Sequence, residues 1–186
     1  MTTSDDTVSV RRAGQDDLHA AAGLRWRWMV DERGRAPLDD AAGFAASLVA
    51  WAGEHAGTHT CVVAVDGARG TEQVVGLAWL ALQERVPTPS LPRRLTGDVQ
   101  SVYVAPEHRG AGVARRLVDA LLDEAWALGL ERVTVHSDPG AVRLYERAGF
   151  AATPSLLEID RPDPAQGDVA RDTGSPAPTP DEEHHP

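Results

Sequence analysis

The segment between residues 99 and 128 constrains the fold of this chain more than any other, because it joins a strand to a helix through a short turn. Residues 99–104 are rich in valine and are predicted to form a strand, which Pro106 ends. Residues 112–128 then place apolar side chains on one helical face: Ala114, Leu117, Val118, Leu121, Ala125 and Leu128. A strand followed at once by an amphipathic helix predicts a sheet covered by helices.

The rest of the chain repeats these patterns, which favours one domain of mixed α/β (α+β) architecture over residues 7–160. The predicted strands are residues 8–10, 60–65, 74–83, 99–104, 132–136 and 155–159, and the predicted helices are residues 16–33, 39–51, 112–128 and 140–148. A turn signal at Asp66-Gly67 predicts a hairpin, and the proline-rich residues 85–97 are expected to form a loop. In the first helix, Arg25 interrupts an otherwise apolar stripe.

Residues 161–186 differ from the rest of the chain in composition. They contain six prolines, six acidic residues and two arginines, and Val169 is their only larger aliphatic side chain. Such a segment cannot bury enough apolar surface to offset the entropy of folding. The sequence therefore predicts a disordered, acidic, proline-rich tail.

The charge balance and the cysteine content exclude several classes of function. The chain carries 28 acidic and 18 basic residues, a formal net charge of −10, whereas nucleic-acid binding needs a basic face. Its single cysteine, Cys61, cannot form a disulfide within the chain. No apolar run is long enough to span a membrane, and the polar residues 1–7 do not resemble a secretory leader. We therefore expect a cytoplasmic protein that binds neither nucleic acid nor a membrane.

The turn between residues 109 and 114 has the features of an anion site. The first amides of a helix lack partners within it and carry the positive end of the helix dipole. Gly110 and Gly112 let a pyrophosphate approach the backbone, and Arg109 and Arg115 add positive charge. The spacing excludes a P-loop, which needs Gly-Lys-Ser/Thr, and it lacks the third glycine of the dinucleotide fingerprint.

Three motifs in this region occur together and in order. They are Val102-x-Val104-x-Pro106, the turn Arg109-Gly110-Ala111-Gly112-Val113-Ala114, and Leu144-Tyr145-Glu146-x-x-Gly149-Phe150. In these motifs the chain resembles the GNAT superfamily of acyl-CoA N-acyltransferases, whose signature at the turn is Arg/Gln-x-x-Gly-x-Gly/Ala. The resemblance is sharp over residues 99–150 and only topological over residues 7–98.

The resemblance implies both the fold and the cofactor. The fold would be a central, mostly antiparallel sheet with a splayed strand pair, flanked by helices. Acetyl-CoA would bind with its pantetheine arm paired to the backbones of Val102 and Val104, and its thioester would lie in the gap between the splayed strands. Its pyrophosphate would be held by the turn, through the amides of Gly110, Ala111, Gly112, Val113 and Ala114 with Arg109 and Arg115 beside them.

Two side chains are candidates for catalysis. By the resemblance, Tyr145 lies near the thioester sulfur and assists the departing thiolate, and the alternative is a tyrosine packed against the sheet. The resemblance also makes Asp98 the candidate base, because some members of the superfamily carry a glutamate base at this position. Strand alternation would put Asp98 with Gln100 on the face of Val102 and Val104. The alternative for Asp98 is a solvated carboxylate at the strand edge.

The resemblance also implies an acceptor pocket near the first helix. It makes Trp28, Met29 and Glu32 candidate substrate contacts, and the alternative is that they are core and surface residues of that helix. His55 and His59 have a spacing found in metal sites, but no third ligand is near them in the sequence. We therefore predict no metal.

The resemblance therefore implies an N-acetyltransferase that moves an acetyl group from acetyl-CoA to a primary amine by direct attack within a ternary complex. The acidic field favours a cationic acceptor, whether a small molecule or a peptide. No covalent intermediate on Cys61 is needed. Two alternatives stay open, namely transfer of a longer acyl group and a non-catalytic acyl-CoA sensor or interaction module. The residues do not distinguish a monomer from a homodimer.

Overall fold

The computed structural model of the protein describes residues 8–67 and 71–159. The predicted tail and the polar residues 1–7 lie outside the described residues. The chain divides into two units, residues 1–151 and 152–186. The first unit contains, in chain order, β1 (Val8–Arg12), α1 (Asp17–Trp26), α2 (Ala41–Glu54), β2 (His59–Asp66), β3 (Gln73–Arg85), β4 (Arg94–Val104), α3 (Val113–Ala127), β5 (Arg132–Val135) and α4 (Val142–Arg147). None of these helices is long and apolar enough to cross a membrane.

The strands form one sheet in the order β1-β2-β3-β4-β5. The first three pairs of neighbours are antiparallel, and β4 and β5 are parallel. The structure therefore confirms the mixed α/β class, the mostly antiparallel sheet and the hairpin of β2 and β3. β2 is buried along most of its length, as expected for an apolar strand between two helical layers.

Each face of the sheet carries its own apolar cluster. On one side, which we call the α3 face, Leu117, Val118, Leu121 and Ala125 of the predicted stripe are buried and pack against β2, β3 and β4. Leu128, the last residue of that stripe, lies beyond the end of α3 and is exposed. On the other side, the α1 face, Ala21 of α1 and Ala52 of α2 pack against Leu77 and Trp79 of β3 and Tyr103 of β4. The sheet is thus the middle layer of three, and β4 contributes side chains to both clusters.

β4 contains a β-bulge at Gln100. Val99 and Ser101 pair with adjacent residues of β3, Leu80 and Trp79. Gln100 is therefore an extra residue without a partner in the ladder. Such an insertion reverses the alternation of side chains between the two faces of a strand.

The bulge changes which side chains of β4 share a face. Val99 and, after the bulge, Val102 and Val104 all pack in the α3-face cluster. Asp98 precedes Val99 and so lies on the α1 face. The prediction that Asp98 shares a face with Val102 and Val104 is therefore wrong, because alternation continues only through an unbroken ladder.

β4 and β5 separate part-way along β4. Their pairing ends with Val99 opposite Val135, whereas β4 continues to Val104. Within residues 8–67 and 71–159, β4 beyond Val99 has a strand neighbour on the β3 side only. This confirms the splayed strand pair.

The loop predicted over residues 85–97 is too long. β3 extends to Arg85 and β4 begins at Arg94, and these two residues face each other in the ladder. The Arg94 guanidinium also pairs with the Glu131 carboxylate at 3.0 Å. Hydrogen bonds between the strands thus override the proline signal, which applies only to residues 86–93.

Two further predictions need correction. The helix predicted over residues 16–33 changes type, because α1 ends at Trp26 and Arg27–Glu32 form a π-helical turn closed by the Arg33 amide on the Trp28 carbonyl at 3.1 Å. Residues 152–159 contain no helix or strand, so the strand predicted at 155–159 is wrong. That prediction rested on apolar residues alone, and a strand also needs a neighbour for its backbone hydrogen bonds.

Candidate active site

Two glycines in the turn before α3 adopt a backbone conformation that other residues disfavour. The φ angle is 87° at Gly110 and 75° at Gly112. A Cβ atom added to either would meet no atom within 4 Å, so the space beside the turn is open. The first bond within the helix runs from the Arg116 amide to the Gly112 carbonyl at 3.2 Å. The preceding amides, from Val113 to Arg115, therefore have no partner within the helix.

A cavity of about 300 Å³ lies at this turn, and we call it the turn cavity. Its lining residues are Val104, His108, Arg109, Gly110, Gly112, Val113, Ala114, Arg115, Leu144 and Arg147. Six of the predicted pyrophosphate contacts are thus brought together, whereas Ala111 is exposed outside this lining. Open space, unpaired amides and the positive end of a helix fit the pyrophosphate of acetyl-CoA.

The side chains of both arginines in the turn are engaged by protein groups. Arg109 donates from Nε to the Val104 carbonyl and from its terminal nitrogen to Glu32, each at 2.9 Å. Arg115 donates from Nε to the Asp119 carboxylate at 2.8 Å. The backbone amides, more than these guanidinium groups, are therefore the donors left for an anion.

The end of β4 directs part of its backbone toward the gap left by β5. The Ala105 amide donates to the Val75 carbonyl of β3 at 2.9 Å. Alternate residues of a strand direct their backbone groups to opposite sides, so those of Val104 and Val102 point away from β3. Because Arg109 occupies the Val104 carbonyl, the Val102 groups are the main part of this edge open to a ligand.

Tyr145 lies in α4 and is only 8% exposed. It packs with Val99 and Val104 in the α3-face cluster, and its ring meets that of Phe150 edge-on at 5.6 Å. Burial, together with the charge of Asp138, raises the pKa of Tyr145, so its hydroxyl is a protonated donor at neutral pH. Tyr145 lines neither the turn cavity nor the cavity of about 640 Å³ on the α1 face.

The second cavity, of about 640 Å³, lies on the α1 face, and we call it the aromatic cavity. Its lining residues are Arg25, Phe44, Ser47, Leu48, Trp51, Trp79, Asp98, Val99, Gln100, Ser101 and His136. The residues from β4 are those around the bulge, where β4 separates from β5. The aromatic cavity therefore lies beside the gap between the splayed strands.

Asp98 is placed in the aromatic cavity by the bulge. Its carboxylate accepts a hydrogen bond from the Thr134 hydroxyl at 3.3 Å. His136 lies in the same wall. A carboxylate and an imidazole are both groups that can take a proton from an ammonium bound between them.

The three predicted acceptor contacts lie outside both cavities. Glu32 accepts hydrogen bonds from the Tyr103 hydroxyl at 2.6 Å and from Arg109 at 2.9 Å, and these bonds lower the pKa of Glu32. Trp28 stacks on the Tyr103 ring with 5.6 Å between centroids. Met29 belongs to the same π-helical turn. The structure thus connects this turn to Arg109 and β4, and not to the aromatic cavity.

The sequence does not single out Arg25 as a functional residue, yet Arg25 is half-buried in the wall of the aromatic cavity. Its guanidinium donates to the Ser101 hydroxyl, and burial lowers the pKa of Arg25. One signal in the sequence did point to it, namely a charge that interrupts the apolar stripe of the first helix. What the sequence does not reveal is the neighbours, since they come from α2, β3 and β4.

Cys61 and the pair His55 and His59 occupy structural positions. Cys61 is buried, and burial raises the pKa of its thiol to about 12, so no thiolate is available at neutral pH. The two histidine rings pack against Trp51, each with 4.7 Å between centroids. In the part of the chain that the structure describes, no group of three or more His, Cys, Asp or Glu side chains is arranged to hold a metal ion.

The sequence matches those of known acetyltransferases. The model of the Acetyltransferase (GNAT) family matches residues 18–150. The chain is 39% identical over 61 residues to the spermidine N(1)-acetyltransferase of Vibrio cholerae, covering 31% of this chain and 35% of that protein. It is 30% identical over 90 residues to the glucosamine 6-phosphate N-acetyltransferase of Trypanosoma brucei brucei, covering 48% and 59%. The chain therefore spans about a third and about three fifths of the lengths of these two relatives.

The fold also matches a solved structure. A predicted acetyltransferase from Clostridium acetobutylicum, crystallised with acetyl-CoA, superimposes with a TM-score of 0.64 at 22% identity, covering 82% of this chain and 96% of that one. At this identity the likeness shows the fold alone. The family match, in contrast, spans most of the chain and includes β4, the glycine turn, α3 and α4. The chain is thus a member of the Acetyltransferase (GNAT) family.

Proposed function

We propose that the protein is an N-acetyltransferase that moves the acetyl group of acetyl-CoA to a primary amine within a ternary complex. The observation that carries this proposal is that β4 separates from β5 after Val99 and then continues alone on that side to Val104, shortly before the glycine turn. It leaves an open strand edge beside unpaired helix amides. A pantetheine arm needs the first feature, and a pyrophosphate needs the second.

The residues of the turn cavity would hold the pyrophosphate, and acetyl-CoA bound there supplies an acyl group activated as a thioester. The amides of residues 110–114 bind the phosphate oxygens, and the backbone of Val102 pairs with the pantetheine arm. Arg109 acts indirectly, because it holds the Val104 carbonyl and Glu32. Arg115 adds positive charge next to the same amides.

The aromatic cavity is the proposed acceptor site, because it lies on the opposite face of β4 and reaches the splay. An ammonium must lose a proton before its nitrogen can attack a carbonyl carbon. Asp98 takes that proton, either directly or through water. His136, in the same wall, gives the proton a route toward solvent.

Tyr145 completes the transfer by donating its phenolic proton to the departing thiolate. The new bond joins the amine nitrogen to the acyl carbon, and the carbon–sulfur bond breaks. Asp98 passes the first proton of the ammonium to solvent. The nitrogen loses a second proton as the amide forms, and that proton restores Tyr145 through solvent. Because Cys61 is a buried thiol, we propose direct transfer without an acyl-enzyme.

The named relatives support an amine as the acceptor. One relative is named for spermidine and another for glucosamine 6-phosphate. Both compounds carry a primary amine, but the first is otherwise cationic and the second carries a phosphate. The relatives therefore favour the reaction class and leave the charge of the acceptor open.

The proposal is tested by a charge introduced into the turn cavity. Ala114→Glu puts a carboxylate on the first turn of α3, and Ala114→Gln puts there a neutral group of the same shape. We expect the glutamate variant to bind CoA about tenfold or more weakly than the glutamine variant, because its charge repels the pyrophosphate. Isothermal titration calorimetry with CoA measures both dissociation constants. Unfolding does not explain such a loss, since an acid near a helix N-terminus stabilises the helix by about 0.3–1 kcal/mol.

Equal affinities in the two variants would count against the cofactor site. Thiol release from acetyl-CoA with a panel of amines then tests the chemistry. Tight CoA binding without turnover on any amine would favour the non-catalytic sensor. Faster turnover with a longer acyl donor would favour the alternative acyl group.

A further inference from the structure

The aromatic cavity contains a positively charged side chain, that of Arg25. The Arg25 guanidinium is half-buried there and donates to the Ser101 hydroxyl. Across residues 8–67 and 71–159, no carboxylate lies within 4.0 Å of it. Its neighbour Arg27 pairs with Glu107 at 2.9 Å. Removing a cation from water without a partner costs free energy, and a ligand anion would offset that cost.

The geometry points to an acceptor that carries a carboxylate in addition to its amine. This inference rests on the proposed function, which makes the aromatic cavity the acceptor site. Arg25 and Ser101 bind the carboxylate, since a guanidinium offers parallel N–H donors and the hydroxyl offers one more. Asp98, in the same cavity, faces the amine.

A carboxylate fits this cavity better than a phosphate does. Among the described residues, Arg25 is the single arginine in the lining, and the chain has no lysine at all. Asp98 contributes a negative charge to the same wall, and the whole chain has a formal net charge of −10. A phosphate dianion would therefore keep an unpaired charge, whereas a carboxylate is neutralised by one guanidinium.

The remaining walls fit an apolar body between the two charged groups. Phe44, Trp51 and Trp79 line the cavity, and the two indole rings meet edge-on with 5.6 Å between centroids. The volume of about 640 Å³ is ample for an amino acid with an aromatic or branched side chain. The chemical class of acceptor is thus an amino acid or a related amine with a carboxylate and an apolar body.

The inference is tested by binding, without turnover. The probes are 3-phenylpropanoate and its neutral amide, titrated into the full chain and followed by calorimetry or tryptophan fluorescence. We expect the acid to bind about tenfold or more tightly than the amide, as for a hydrogen bond to a charged group. In Arg25→Gln, which keeps a donor for Ser101 but removes the charge, the two probes should bind equally.

Two further variants control this experiment. Arg12→Gln removes an arginine of β1 whose side chain is 56% exposed and pairs with Glu124, and it should keep the full preference for the acid. Arg25→Lys keeps the charge and loses the planar fork, so it should keep part of the preference. Equal binding of both probes to the unaltered protein, or an undiminished preference in Arg25→Gln, would overturn the inference. So would inorganic phosphate displacing 3-phenylpropanoate at lower concentration than acetate does.

A kinetic comparison separates this inference from the proposed function. Thiol release is measured with L-phenylalanine and with phenethylamine, which differ in the carboxylate alone. Faster turnover of phenylalanine than of phenethylamine, with that preference lost in Arg25→Gln and kept in Arg12→Gln, supports both proposals. No turnover of either amine counts against the enzyme, and the binding preference still decides the role of Arg25.

Discussion

The Tyr145 hydroxyl is placed in an environment that keeps it protonated. Burial and the nearby charge of Asp138 both raise its pKa. A phenol of raised pKa holds its proton at every pH at which an enzyme works, so it serves as a donor and not as a base. The proposed mechanism uses it in that role, and Asp98 takes the opposite one.

Replacing Tyr145 by phenylalanine tests this role. The ring would still pack on Phe150, and only the hydroxyl is lost. We expect kcat to fall about a hundredfold, the lower range for loss of a general acid, while the dissociation constant of CoA stays within about twofold. Steady-state kinetics and calorimetry measure the two quantities. An unchanged kcat would return Tyr145 to a purely structural role.

At the scale of elements, β4 positions the residues of the site. Tight packing at Gly97 and the bulge at Gln100 determine how it does so. Gly97 leaves room for Leu130 and Leu80, whose methyl carbons would lie 2.7 and 2.9 Å from an added Cβ. These leucines pack the α3 face where β4 and β5 still pair. Beyond this anchored part, the bulge at Gln100 and the splay follow.

A pair of glycine-to-alanine changes tests that anchoring. Gly97→Ala should lower the free energy of unfolding by about 1–3 kcal/mol, because the added methyl overpacks the core. Gly23→Ala, in an exposed position of α1 with no atom within 4 Å of the added Cβ, should raise it by about 0.5–1 kcal/mol. Urea denaturation followed by circular dichroism measures both changes. A Gly97→Ala variant as stable as the parent would show that the core beside Gly97 has space for a methyl group.

Local features were predictable from the sequence, and contacts across the fold were not. The order of elements follows from periodicity, and the glycine turn follows from six consecutive residues that act through their own backbone. The bulge at Gln100 depends on the register with β3, which no local pattern encodes. For the same reason strand alternation places Asp98 on the wrong face, and the sequence shows Arg25 only as a charge that interrupts the apolar stripe of the first helix.

At the scale of the whole molecule, ionisable groups link stability to pH at both ends of the range. Hydrogen bonds from Arg11 lower the pKa of Asp17, and those from Tyr103 and Arg109 lower the pKa of Glu32. Burial raises the pKa of Cys61 to about 12. A carboxylate whose pKa is lower in the folded state stabilises that state at pH values above its unfolded pKa. A thiol whose pKa is higher in the folded state leaves that state fully stable at pH values below the unfolded pKa, and stability is lost as the pH rises above it.

We therefore expect the free energy of unfolding to be nearly constant over a middle range of pH and to fall on both sides of it. The free energy of unfolding should fall as the pH drops below about 4, where the unfolded carboxylates take up protons first. It should also fall between pH 9 and about 12, where an unfolded Cys61 ionises and the folded one does not. Urea midpoints across a pH series measure this profile. In Cys61→Ala the fall at alkaline pH should be smaller, and an unchanged fall would contradict the raised pKa of Cys61.

The bulge in β4 has a consequence for how such a protein diversifies. Under the proposed function, Val102 beyond the bulge serves a donor that stays the same, whereas Asp98 before it, together with Arg25, serves the molecule being modified. Substitutions on the α1 face can therefore exchange one acceptor for another without disturbing the binding of the acyl donor. One extra residue in a strand lets evolution vary one partner while conserving the other.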